Sequence, residues 1–353
     1  MERPATAPRI PEPLALTAGE PAGIGGEITL QAWLARLESK LAPFFVLDDP
    51  ARLRRLAEAL GWPVEVRAIA EPAEAVEVFE RALPVLALTS PIAGDPGRLD
   101  AANAGAVLES IRQAVALTQA QRAAAVVTNP IHKAILYEAG FRHPGHTEYL
   151  AELAGLAEAP VMMLAGPSLR VVPVTVHLPL REAIASLTAR DILHAGQVTA
   201  RALRRDFGVA APRIAVAGLN PHAGECGSLG REDAEVIAPA VEALRRDGID
   251  ASGPLPADGM FHEAARRRYD AALCMYHDQA LIPVKALDFD RTVNVTLGLP
   301  FVRTSPDHGT ALDIAGSGRA SPKSLISALR LAEDMAAARS TPAQPSAAYT
   351  KER

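Results

Sequence analysis

Short apolar runs alternate along this chain with stretches whose apolar residues recur at helical spacing. Runs at 14–17, 44–47, 123–127, 214–217, 271–275 and 293–297 are long enough for buried strands and too short for helices. Between them, Val107, Leu108, Ile111 and Val115 fall on one helical face, as do Val236, Ile237, Val241 and Leu244. A further helix is expected to open at Ser321 and Pro322, a good N-cap and first-turn pair, and to bury Leu325, Ile326 and Leu329. Strands separated by helices predict an α/β fold with a mostly parallel sheet covered by helices on both faces.

One segment breaks the alternation. Residues 161–164 and 171–177 flank a Gly166-Pro167-Ser168 turn, which predicts an antiparallel hairpin or arm. Pro173 lies inside the second run and favours an edge position, where the strand could also make a dimer contact.

Composition narrows the function classes. A chain of 353 residues suits two domains or one large α/β unit. Aromatics are only 4%, so Leu, Val, Ile and Ala must fill the core, and base stacking is a poor expectation. The net charge of −5 gives no basic footprint for nucleic acid. Two cysteines, Cys226 and Cys274, make no disulfide framework and are expected to be reduced. The opening MERPATAPRIPEP lacks the apolar run of an export signal, and no stretch approaches 18 uncharged apolar residues. We therefore expect a cytoplasmic location and no membrane partner.

Sites in α/β proteins gather after the carboxyl ends of strands. After the first run come Gly19, Glu20, Pro21, Ala22, Gly23, Ile24, Gly25, Gly26 and Glu27, which is neither a dinucleotide fingerprint nor a P-loop. It is either a close backbone approach to a ligand or a tight strand-to-helix turn. After 123–127 come Thr128, Asn129 and His132, then His146 and Thr147. These suit an anion at a helix start, although Thr147 as a helix cap is the plainer local reading. His177, His222 and His277 each follow an apolar run. Three imidazoles can hold a metal that keeps open positions, but their spacing makes no local motif, and a lone histidine is usually structural. Lys285, Asn294 and Arg303 suit an anionic substrate or, singly, surface ion pairs.

The blocks GEPAGIGGE (19–27), TNPIHK (128–133), GHTEYLAELAG (145–155), VHLPL (176–180), LNPHAGE (219–225), GPLPAD (253–258), MYHDQALIPVK (275–285) and VNVTLGLPFVRTSPDHGTA (293–311) occur in order across the chain. With them the chain resembles the 4-hydroxythreonine-4-phosphate dehydrogenases of pyridoxal-phosphate biosynthesis. The resemblance implies a two-domain fold like isocitrate and isopropylmalate dehydrogenases, with mixed, mostly parallel sheets. Composition marks a flexible lead-in at 1–12 and a flexible tail at 340–353, and between them we expect a first domain at 13–140 with 311–339 and a second at 141–310 carrying the dimer arm.

The resemblance also implies a homodimer with active sites at the subunit interface, and a divalent metal on His177, His222 and His277 drawn from both subunits. Zinc, magnesium, manganese and cobalt all remain open. Substrate contacts are implied for His146, Thr147, Lys285, Asn294 and Arg303, with Asp258 and Asp278 supporting the site. The implied reaction oxidises 4-phosphooxy-L-threonine with NAD to a 2-amino-3-oxo acid, which loses CO2 to give 3-amino-2-oxopropyl phosphate. No Rossmann acidic residue is available to separate NAD from NADP, and the cofactor contacts are unassigned. Lys285 is our expected acceptor of the hydroxyl proton.

Three positions depart from the family pattern: Glu20 replaces Asp, Gly26 replaces Pro, and Cys226 stands where Gly is common. They raise the prospect of a shifted or loosened first loop. Two other readings compete with the leading one. A paralogue could oxidise another 3-hydroxy acid, such as threonate or erythronate 4-phosphate or an aromatic dihydrodiol carboxylate. A non-catalytic metabolite-binding protein would give no NADH with any substrate.

Overall fold

The computed structural model describes residues 12–143 and 145–340. The expected lead-in at 1–12 and tail at 340–353 therefore lie, except for residues 12 and 340 themselves, outside the described residues. Twelve strands occur among the described residues: β1 (Leu14–Thr17), β2 (Phe44–Asp48), β3 (Val66–Ile69), β4 (Leu83–Ala87), β5 (Val126–Val127), β6 (Val161–Ala165), β7 (Arg170–Pro173), β8 (Arg213–Ala217), β9 (Asp250–Leu255), β10 (Ala271–Cys274), β11 (Val293–Leu297) and β12 (Arg303–Pro306).

The described residues form two compact units, one of residues 12–170 with 281–333, the other of residues 171–280 with 334–340. The first carries strands in the order β3-β4-β2-β1-β5-β12-β11-β6. Pairing is parallel from β3 to β12 and antiparallel for β12 with β11 and β11 with β6. Its core packs Phe45, Leu47, Val107, Ile111, Val115, Leu136, Leu150 and Phe301 together. The helix Ala104–Gln119 buries Val107, Ile111 and Val115 as its periodicity demands. The second unit carries the parallel set β7-β10-β8-β9. The helices Ala189–Phe207 and Ala238–Arg246 belong to it, and Ile192, Leu203, Val241 and Leu244 are buried.

This division differs from the expected domain boundaries. Residues 141–170 and 281–310 fall with the first unit because β11 pairs with β6, and β12 pairs with β5. The expected arm is also not free-standing. β6 is tied antiparallel to β11, and β7 is tied parallel to β10, with Val174 N donating to Cys274 O at 2.8 Å. N–H groups alternate in direction along a strand, so Pro173 sits where β10 requires no donor from it. The C-terminal helix runs Lys323–Ser340 with Leu325 and Leu329 buried, and Pro322 rather than Ser321 supplies the carbonyl to Ile326 N, at 2.9 Å. No helix among the described residues is long and apolar enough to cross a membrane.

Candidate active site

In the first unit the polar residues converge on Arg303. β12 has the sequence RTSP, with no large apolar side chain, yet all four residues are buried. Pairing with β5 on one side and β11 on the other forces that burial, and places the Arg303 guanidinium between those strands. Arg303 is 3% exposed. Its Nη2 donates to Thr128 Oγ1 at 2.7 Å and its Nη1 to Thr296 Oγ1 at 2.9 Å, with Asn294 Oδ1 at 3.5 Å. Its Nε has no partner. Burial lowers its pKa to about 10. Thr128 and Thr296 were not singled out as a pair in the sequence; only their cross-strand register reveals them.

His146 opens the helix His146–Leu153, whose N-cap is Gly145 with no side-chain cap. Thr147 therefore does not cap this helix, and the plainer local reading is set aside. The Nε2 of His146 is buried without a partner. Burial above all, then the positive charges of Arg303 and Lys133, holds its pKa well below the usual 6.5, so the imidazole is neutral at pH 7. Lys285 pairs with Asp307 at 2.9 Å, and both are partly exposed. Asp307 is a further charged member of this group; it appears in the motif SPDHG but had no assigned role.

The first loop is braced, not loosened. Glu20 N donates to Pro130 O at 2.8 Å, and Glu20 Oε1 accepts from Ala22 N at 3.1 Å. Gly19, at φ +71°, lies so close to Asn129 and Pro130 that a Cβ would meet each at 2.7 Å. A Cβ at Gly26 would meet Leu56 at 2.9 Å and Arg52 Nη1 at 3.1 Å. Arg52 forks onto Asp48 at 2.5 and 3.0 Å and reaches Pro21 O at 3.3 Å. Gly26 thus leaves room for a partly buried arginine that holds the loop, in place of a proline that would stiffen it. Burial raises the Glu20 pKa, against the Ala22 amide and the charges of His132 and Arg52.

In the second unit all three histidines stand at strand ends. His177 follows β7 at φ +51°, and its ring centroid lies 5.8 Å from that of His277. His277 opens the helix His277–Asp288, and its Nδ1 is 2.7 Å from Asp278 Oδ1. That contact leaves Nε2 as the nitrogen directed elsewhere. His222 begins a run of left-handed residues through Cys226, with φ of 54, 51, 79, 41 and 58°. Four of these five are not glycine, and each such residue costs roughly 1–2 kcal/mol in this conformation. Cys226 therefore occupies a position where glycine is at ease.

Two buried polar residues brace the segment that precedes this run. Asp233 accepts from Leu219 N at 2.8 Å, Asn220 N at 3.2 Å and Asn220 Nδ2 at 2.9 Å. Gln279 accepts from Met275 N and donates to Gly218 O, both at 2.7 Å, joining the end of β10 to the end of β8. Sequence reasoning missed both, since an Asp and a Gln on polar helical turns carry no signal of burial. Asp258 is exposed on the turn Ala257–Gly259 after β9. Among the described residues, no group of three or more His, Cys, Asp or Glu within one chain is placed to hold a metal. His177 and His277 come together; His222 and Asp258 do not join them in a ligand set. Cys226 and Cys274 are both free, the second buried.

The described residues thus form two α/β units, one mixed and one parallel, with an arginine buried on uncharged oxygens in the first and imidazoles after strand ends in the second. Residues 40–332 match the family described as pyridoxal phosphate biosynthetic protein PdxA, and the chain belongs to that family. It is 58% identical over 339 residues to a 4-hydroxythreonine-4-phosphate dehydrogenase of Bradyrhizobium diazoefficiens, covering 93% of this chain and 98% of that one. Among solved structures, it is similar to a 4-hydroxythreonine-4-phosphate dehydrogenase from Klebsiella pneumoniae, with TM-score 0.82, 38% identity, and coverage of 93% and 99%. A terephthalate 1,2-cis-dihydrodiol dehydrogenase from Burkholderia xenovorans LB400 is more distant, with TM-score 0.63, 30% identity, and coverage of 92% and 98%.

Proposed function

We propose that this protein is an NAD-dependent dehydrogenase acting on 4-phosphooxy-L-threonine. It oxidises the hydroxyl to a ketone, and the resulting 2-amino-3-oxo acid loses CO2 to give 3-amino-2-oxopropyl phosphate. The identity of 58% to a relative of that name, over nearly the whole of both chains, carries the choice of substrate. The dihydrodiol reading rests on a likeness at only 30% identity.

The residues support distinct tasks. Arg303 offers a buried positive charge to an oxyanion of the substrate, with Asn294 and Thr147 as polar neighbours in the substrate set. His146, held neutral, serves as a hydrogen-bonding partner and not as a cation. Anchoring the substrate at its remote anionic groups aligns the reacting carbon with the nicotinamide.

His177, His222 and His277 form the proposed divalent-metal set, with Asp278 fixing the ring of His277. The donor chemistry fits: imidazoles suit zinc or cobalt, whereas manganese or magnesium would draw more on oxygens of the substrate and water. A metal bound there would acidify the substrate hydroxyl and polarise the ketone that follows. A homodimer in the cytoplasm, contributing histidines from both subunits, is the assembly we propose. Lys285 remains our choice to accept the hydroxyl proton. In the structure Lys285 is held in an ion pair with Asp307, a contact it must leave to reach the substrate hydroxyl.

Steady-state kinetics with 4-phosphooxy-L-threonine and threonate 4-phosphate, each with NAD and NADP, test the assignment. The expected kcat/KM is about a hundredfold higher for the amino acid, since threonate 4-phosphate carries a hydroxyl in place of the amine and near-isosteric swaps discriminate by roughly that factor. A preference for the threonate would reassign the substrate.

A further inference from the structure

A buried guanidinium is ordinarily neutralised by a carboxylate, because an isolated buried charge is costly. Arg52 and Arg339, both partly buried, follow that rule with Asp48 and Asp206. Arg303 does not. Its three acceptors are two threonine hydroxyls and one asparagine carbonyl oxygen. Thr128 is fully buried, and Thr296 is 4% exposed. A guanidinium carries five N–H groups, and three acceptors leave two over. One of these is the Nε–H, which has no partner.

We propose that Thr128 and Thr296 are positioning residues that hold Arg303 by uncharged oxygens, so that its positive charge is kept for an oxyanion of the substrate. The inference rests on the reading that Arg303 takes that group. The threonines come from β11 and the residue following β5, the two strands that flank β12. They grip the two Nη atoms from opposite strands and fix the plane of the fork. A carboxylate at either place would satisfy the same N–H groups and would also cancel the charge. The site thus gives up the stability of an ion pair and gains affinity for an incoming anion.

An aspartate–asparagine pair at one position isolates charge from shape. Thr296→Asn and Thr296→Asp would be compared with the unaltered protein by thermal melting and by titration calorimetry. The probes are 4-phosphooxy-L-threonine and, separately, inorganic phosphate. Thr296→Asn is expected to bind within about threefold of the unaltered protein. Thr296→Asp is expected to melt no lower than Thr296→Asn and to bind about 30-fold or more weakly, as when an anion site is neutralised. Equal binding by the two variants would overturn the proposal. So would an aspartate variant that fails to fold while the asparagine variant folds, because an uncompensated Arg303 should welcome the carboxylate. Should neither variant fold, the same pair at Thr128 gives the same reading. If the unaltered protein binds inorganic phosphate but not 4-phosphooxy-L-threonine, the substrate assignment fails. The role of the two threonines is then still read from the phosphate titrations.

Discussion

The arginine site of the first unit and the histidines of the second are built in opposite ways. Arg303 is buried between strands, held at 2.7 and 2.9 Å by side chains of its own chain. Its energetic cost is an uncompensated charge. The histidines stand at exposed or half-exposed strand ends, and the cost there is a left-handed backbone run from His222 to Cys226. One site is pre-organised in its electrostatics, the other in its backbone. An anion anchor gains from burial, because a low dielectric strengthens its pull. Metal ligands gain from access, because they must receive an ion and, in the assembly we propose, a second subunit.

The largest expected effect breaks the arginine side of that contrast. Arg303→Met should lower kcat/KM by about 10²–10³, the usual consequence of losing a buried charge that pairs with substrate. The same change should leave the melting temperature unchanged or higher, since an apolar side chain replaces an unpaired buried charge. A variant with near-normal turnover and a collapsed melting temperature would make Arg303 a structural residue.

A smaller effect concerns His146. Its folded pKa lies below the unfolded value of 6.5, so the unfolded chain takes up a proton that the folded chain refuses. The stability this residue contributes is complete above pH 6.5 and is lost as the pH falls toward the folded pKa. The slope approaches about 1.4 kcal/mol per pH unit. Urea titrations between pH 7 and 5 should show that slope, and His146→Asn should remove it. An identical pH dependence in the variant would contradict the neutral imidazole with its buried Nε2.

Legibility in the sequence followed the same physical divide. Strands β1, β2, β8, β10 and β11 were visible because each is an apolar run bounded by turn residues. β12 was invisible because Arg303, Thr304, Ser305 and Pro306 are buried by their neighbours and not by their own hydrophobicity. β4 and β9 contain Pro84, Gly253 and Pro254, which argue against a strand when read locally. The histidines could be placed at strand ends, and their grouping came only from the family resemblance. Asp233, Gln279, Thr128 and Thr296 required the tertiary structure, since their partners lie on other elements, from 7 to 175 positions away.

We propose above all that the oxidation of 4-phosphooxy-L-threonine depends on a metal. The most direct test is a coupled measurement of NADH and CO2 from that substrate, before and after thorough chelation and again after metal is restored. Equal yields of NADH and CO2 are expected, both abolished by the chelator and recovered with a divalent metal. Undiminished NADH production from the fully chelated protein would contradict the proposal.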